Sequence, residues 1–330
     1  MLIVRFKSFT RQNKLWRILF FTIGFSVNLV AQTDVSSVHV LPRTDSVSPS
    51  STRAMFRSNV DLVLVNVTVL DHSNRAITGL RLTDFSLLED KHPQPVQYFA
   101  STDQPLSLAI VLDASASMAP RIDQMRRAVI DLVRTANPLD DISLVIVGDK
   151  PQAVFHFGDP IDTLESRLEA LHPDGQTALW DAMFLSVEEM ERARYQRRAM
   201  IVISDGGDNQ SRYTESELKS LLAEADVEVY ALGMFDRFPR RNEERNGPRN
   251  LDELTSTSGG RLLSVHDASE LTRSVTQIND ELRNQYILGY LPTNHTHDGH
   301  WRKLKVSLNG NNQQGKFQLC SKKGYYASSQ

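Results

Sequence analysis

The 330-residue chain carries 37 lysines and arginines against 40 aspartates and glutamates, a formal charge of −3, with 40% hydrophobic and 23% charged residues. That is ordinary globular composition, and it excludes a collagen-like or wholly disordered chain and a multi-span membrane protein. A single cysteine, Cys320, excludes an intrachain disulfide framework and a cysteine zinc site.

Residues 1–31 hold Arg5, Lys7, Arg11, Lys14 and Arg17 and no acid, then an apolar run at 18–30, then the small Ala31. This order predicts a secretory signal cleaved after Ala31, although Leu29 is a poor residue at its position. The run is about 13 residues, short of the ~18 or more that a spanning helix needs; retention as an N-terminal anchor is the other reading. The chain is therefore expected to be exported, to the periplasm, the cell surface or the medium. Without the five basic residues the balance is 32 basic to 40 acidic, a net charge of −8, which weighs against nucleic acid as a partner. Residues 32–57 are rich in Ser, Thr and Pro and read as a linker.

From Val60 the residues alternate, with Val60, Leu62, Leu64, Asn66 and Thr68 on one face and Asp61, Val63, Val65, Val67 and Val69 on the other, which predicts a strand with mostly apolar inward positions. A turn at 71–74 and short strands at 85–90 and 96–99 complete a β segment over 58–104. The pattern over 105–283 is different. Strands are expected at 106–112, 142–147, 153–157, 200–203, 227–232 and 261–265. Helices are expected at about 122–136, 161–171, 178–194, 215–225, 251–257 and 268–283. Apolar strands alternating with amphipathic helices imply an α/β fold, a doubly wound and mostly parallel sheet covered by helices on both faces. Residues 284–330 return to strands, at 286–291, 304–308 and 317–320. The two β segments are each too small for a core and are expected to pack together, with the α/β unit inserted between them.

The first α/β strand ends in Asp113-Ala-Ser115-Ala-Ser117, which places a carboxylate at the carboxyl end of a buried strand, where open α/β sheets bind ligands. Two hydroxyls and a carboxylate suit a hard cation; a helix cap is the simpler reading. The strand at 200–203 runs into Ser204-Asp205-Gly-Gly, a second such carboxylate, and Thr177 in Gly175-Gln-Thr-Ala-Leu stands at a helix start.

These three motifs together resemble the metal-ion-dependent adhesion site of von Willebrand factor type A domains, with all five positions filled. The flanking segments, including Asp84-Phe-Ser-Leu-Leu-Glu-Asp90 and Lys323-Gly-Tyr-Tyr326, resemble a bacterial exported subgroup of that family. The resemblance implies that Ser115, Ser117 and Thr177 hold an ion through hydroxyl oxygens, with Asp113 and Asp205 acting directly or through water. Magnesium is the first expectation, with manganese or calcium as alternatives. An open coordination position would accept an acidic residue of a protein ligand; the alternative is a structural protein of the envelope whose ion only orders the loops. The segment 235–250 departs from the pattern. Its Arg237, Arg240 and Arg241 are read as a solvated loop or as a basic rim that steers the ligand.

Enzymatic readings find no support. An aspartyl-phosphate enzyme of the haloacid dehalogenase type needs an acid two residues after Asp113, where Ser115 stands, and neither Gly-x-Ser-x-Gly, a phosphate-binding Gly-rich loop nor His-Glu-x-x-His occurs. His295, His297 and His300 are read as a solvated turn, Trp180 and Phe184 as core, and Cys320 as a buried small residue.

Overall fold

The computed structural model describes residues 62–101, 103–236, 239, 241–309 and 317–328. The signal and linker expected at 1–57, and Arg237 and Arg240, lie outside the described residues. All elements below belong to the compact unit Ser58–Gln330. Among the described residues no helix is long and apolar enough to cross a membrane.

The chain enters through β1 (Val63–Leu70), β2 (Phe85–Glu89), β3 (His92–Pro93) and β4 (Val96–Ala100). The α/β unit follows: β5 (Ser107–Asp113), α1 (Ile122–Thr135), β6 (Asp141–Val147), β7 (Gln152–Phe155), α2 (Leu164–Glu169), α3 (Leu179–Glu189) and β8 (Arg198–Ser204). It continues through α4 (Glu215–Glu224), β9 (Val227–Gly233), α5 (Asn242–Ser258), β10 (Leu262–Ser264) and α6 (Ala268–Arg283). The chain closes with β11 (Tyr286–Tyr290), β12 (Trp301–Leu308), β13 (Gln318–Ser321) and β14 (Gly324–Tyr326).

The central sheet has the order β10-β9-β8-β5-β6-β7, parallel throughout except for β7, which runs antiparallel to β6. Every residue of β5 and β9 is buried, as a strand covered on both faces requires. One face of the sheet, with Ile110, Leu112, Ile201 and Ile203, packs against α1 and α6 residues such as Val129 and Ile278. The other, with Ala109, Val111, Met200 and Val202, packs against residues of α3, α4 and α5 such as Met183, Leu218 and Leu251. The chain leaves β5 toward β6 on one side and returns to β8 on the other. The carboxyl ends of β5 and β8 therefore flank the point where the strand order reverses, the ordinary place for a ligand in such a sheet.

The flanking segments form two antiparallel sheets, in the orders β13-β1-β11-β4 and β14-β12-β2-β3. Both mix strands from before and after the α/β unit: Val65 pairs with Leu288 between β1 and β11, and Leu87 with Val306 between β2 and β12. Val65, Val67, Val69, Phe85, Leu87, Tyr286, Leu288 and Tyr290 fill the space they share. Of the two faces that the alternation defines in β1, the one with Val65, Val67 and Val69 is inward.

Two expectations need correction. The helix expected at 251–257 begins nine residues earlier, at Asn242, so most of the expected loop at 235–250 is helical. α5 includes Pro248, although proline gives no N–H to a helix. Phe184 is only half-buried, at the margin of the core that holds Trp180, and its ring stacks on that of Tyr213 at 3.8 Å.

Candidate metal centre

Asp113 is the last residue of β5, and Ser204, the last residue of β8, precedes Asp205. Asp113 is 0% exposed and Asp205 7%. Asp113 Oδ1 accepts the Ser115 N–H at 3.0 Å, and its Oδ2 accepts the Ser204 hydroxyl at 2.6 Å. The Ser115 and Ser117 hydroxyls lie 3.1 Å apart, and Ser117 Oγ donates to Asp205 Oδ2 at 3.1 Å. Asp113, Ser115, Ser117, Ser204 and Asp205 thus form one connected polar cluster across two strand ends.

Thr177 reaches this rim through its backbone. The Asp174 N–H donates to Ala114 O at 3.0 Å, and the Ala116 N–H to Gly175 O at 3.2 Å, so the 174–177 loop is laced to the loop after Asp113. On its other side Thr177 O accepts the Asn209 N–H at 3.0 Å, and its N–H donates to Asn209 Oδ1 at 3.0 Å. Three loops from separate elements therefore meet with Thr177 between the other two, itself 6% exposed.

The helix-cap reading makes specific demands that are not met. Ser115 precedes the short 3-10 helix Ala116–Arg121 without a side-chain cap bond. At the start of α3 the exposed amide of Trp180 is met by Asp208 Oδ2 at 3.1 Å, not by the Thr177 hydroxyl. Asp208 and Asn209 brace the site from the loop after Asp205, and the sequence reading left both without a role. The polar run Asp208-Asn209 so soon after a strand-end carboxylate was the available signal.

Gly206 and Gly247 explain the early start of α5. Gly206 has φ +74°, and a Cβ there would stand 2.7 Å from Gly247 O; a Cβ on Gly247 would stand 2.1 Å from Asp205 O. Two backbones touch without side chains between them, which only glycine permits. The contact presses α5 onto the Asp205 loop and brings Glu243 and Glu244 toward it: Glu243 Cγ lies 3.8 Å from the position of a Gly207 Cβ. Of the expected basic rim, Arg241 is described. It precedes α5, exposed, with its N–H donating to Glu244 Oε2 at 3.2 Å.

The electrostatics are those of a carboxylate pair held out of water. Burial, then the charge of Asp205, pushes Asp113 up to about 6. Burial also raises Asp205, against hydrogen bonds from Gly207 and Ser117 and the more distant charge of Arg121. Among the described residues neither carboxylate has an ion-pair partner within 4.0 Å, and Arg121 itself turns to Asp236 and to Met234 O. Two buried carboxylates joined only to hydroxyls and amides fit a divalent cation, which would offset the desolvation they have already undergone. Among the described residues no three His, Cys, Asp or Glu side chains gather into a metal cluster, so any ion here would rely on the hydroxyls as well.

With this geometry in place the comparisons are direct. Residues 108–207, from the start of β5 to just past Asp205, match the von Willebrand factor type A domain. The chain carries a domain of that family, and its central sheet continues beyond the matched stretch through β9 and β10. The pig inter-alpha-trypsin inhibitor heavy chain H4 is 26% identical over 231 residues, which cover 65% of this chain and 24% of that protein. The chain thus spans about a quarter of that relative. Among solved structures, the von Willebrand factor type A protein of Catenulispora acidiphila superposes with TM-score 0.48 at 11% identity, covering 83% of this chain and 75% of that one. Proximal thread matrix protein 1 of the mussel byssus, solved with zinc in its adhesion-site motif, gives TM-score 0.46 at 17% identity, over 59% of this chain and 49% of that one.

Proposed function

We propose that this chain is an exported, metal-dependent protein-binding module, not an enzyme, which captures an acidic residue of a protein partner through a divalent ion. The residues that would hold the ion are Asp113, Ser115, Ser117, Thr177 and Asp205. The observation that carries the reading is the buried pair Asp113 and Asp205, linked through serine hydroxyls and, among the described residues, without an ion-pair partner within 4.0 Å. All the donors are hard oxygens, which favours magnesium, with manganese or calcium as alternatives. Zinc, which the mussel protein holds, belongs in the same titration. When bound, the ion supplies a Lewis-acidic position that an incoming carboxylate can fill.

The chain's own residues do the remaining work. Ser204 fixes Asp113 Oδ2, and the Gly207 N–H fixes Asp205 Oδ1 at 2.9 Å, so each carboxylate is oriented before an ion arrives. Neutral hydroxyls add coordination without cancelling charge, which leaves the ion electrophilic toward a partner. Glu243 and Glu244 near Asp205 make the rim acidic on that side.

The test is calorimetric titration with Mg²⁺, Mn²⁺, Ca²⁺ and Zn²⁺ on the wild type and on Asp113→Ala, with far-UV circular dichroism of both. The wild type should bind and folded Asp113→Ala should not, since magnesium depends on one or two carboxylates. Undiminished affinity in the folded variant would overturn the assignment. Chelator-sensitive capture of a partner separates a binding module from a protein in which the ion only orders loops.

A further inference from the structure

At the opposite end of the parallel sheet from Asp113, a cavity of about 300 Å³ opens where the amino ends of β5, β8 and β9 meet the sheet that contains β1 and β11. Its lining includes Arg197, Arg198 and Lys322, with an apolar side made by Leu64, Pro105 and Ile287. Three cations in one cleft call for an account of their partners.

Lys322 is paired, with its Nζ 2.6 Å from Asp226 Oδ1. Arg197 is partly satisfied. It donates to Gln104 O and to Gln285 Oε1, each at 2.7 Å, and to Leu282 O, but its Nε is buried without a partner. Arg198, the first residue of β8, is half-buried. Its Nε is also buried without a partner, and no described carboxylate lies within 4.0 Å of its side-chain nitrogens. Glu228, the other acid in the lining, is held by Gln285 Nε2 at 2.7 and 2.9 Å and by the Tyr230 hydroxyl at 3.1 Å. It does not serve Arg198. A guanidinium that is partly desolvated and lacks an acceptor is costly, and its planar fork matches carboxylate and phosphate oxygens.

We propose that this cavity is a binding site for a small organic anion, with its carboxylate or phosphate head on Arg198 and its body against Leu64, Pro105 and Ile287. The volume is at the small end of ligand pockets, about 300–1,000 Å³, and the mix of apolar wall and few convergent polar groups is typical of them. The site is independent of the ion site, which lies at the other ends of the same strands. Because its walls come from both the α/β unit and the strands that flank it, an occupant would brace one against the other.

The experiment uses the full chain and two probes: inorganic phosphate for a bare oxyanion, and hexanoate for a carboxylate with an apolar body. Whichever probe binds should raise the melting temperature by about 3 °C or more at ten times its Kd. Arg198→Gln should weaken its calorimetric Kd at least tenfold, while Asp113→Ala should bind it like the wild type. If Arg198→Gln folds poorly, Arg198→Lys keeps the charge, loses the fork and should still weaken binding. Hexanoate preferred over phosphate supports an amphipathic ligand, and the reverse supports a free oxyanion head. An equal shift in wild type and Arg198→Gln is the general salting effect of the anion and overturns the proposal, as does no shift with either probe.

Discussion

Gly247→Ala isolates the contact that ties α5 to the Asp205 loop of the proposed ion site. In an ordinary helix interior the change would stabilise the fold by roughly 0.5–1 kcal/mol, because alanine has less backbone freedom to lose. In α5 the new methyl would stand 2.1 Å from Asp205 O, where ordinary contact begins at 3.4 Å. The shortfall is about 1.3 Å between two backbones, so no flexible side chain can yield, and either α5 or the Asp205 loop must move. Overpacking of this kind costs about 1–3 kcal/mol, occasionally more. After the helical gain is subtracted, a net loss of up to about 2.5 kcal/mol remains, about 1 kcal/mol at mid-range. For a body of this size that mid-range loss is a fall of roughly 2–4 °C in melting temperature, and the upper end about 10 °C. Moving Asp205 should also weaken the divalent ion by about tenfold or more, the usual cost of disturbing what orients a ligand. Calorimetric melting and metal titration of the same variant measure both quantities. A Gly247→Ala protein that melts higher than the wild type and binds the ion equally well would refute the argument.

Ser115→Ala and Thr177→Ala each remove one neutral oxygen and should weaken the ion less than Asp113→Ala does in the same titration; equal loss in all three would contradict the division between carboxylates and hydroxyls. Deleting 286–330 removes β11 from between β1 and β4 and β12 from beside β2, so limited proteolysis should digest 62–100 while the α/β unit resists; survival of the N-terminal strands would show that they need no C-terminal partner. Burial raises Glu228 above its usual 4.5, against hydrogen bonds from Gln285 and Tyr230. A raised carboxylate stabilises the fold below 4.5 and loses that contribution as pH rises through its folded value. The melting temperature of Glu228→Gln relative to wild type should therefore climb as pH rises above 4.5, and a difference that stays flat as pH rises would exclude the effect.

The parts of the site that were legible in the sequence are those written locally. Residues 106–112 are a continuous apolar run ended by a carboxylate, so both the strand and the place of Asp113 at its carboxyl end follow from a few neighbouring residues. The same holds for 200–203 and Asp205. The alternation of 63, 65, 67 and 69 likewise marks β1 as a strand, and the sheet packed against it decides that the valine face is the inward one. The start of α5 at Asn242 was not legible, because the contact that holds this helix lies some forty residues away, in the backbone of Asp205 and Gly206. Gly247 is required there because another chain segment passes at contact distance. The role of Asp208 was missed for a related reason: it meets the amide of Trp180, 28 residues before it in the chain. Tertiary partners of that kind leave no periodicity to read.

The placement of β11 between β1 and β4 has a consequence for biosynthesis. β4 ends at Ala100 and β11 begins at Tyr286, so about 185 residues separate neighbours in one sheet. At roughly 5–20 residues per second, the first strands wait about 10–40 s after synthesis for the strand that joins them. Throughout that interval Val65, Val67 and Val69 have no opposing sheet, and β1 lacks both of its neighbours. An unpaired, valine-rich strand is the kind of segment that associates with other chains. β11 and β13, both from the C-terminal segment, supply the two neighbours that end this exposure of β1.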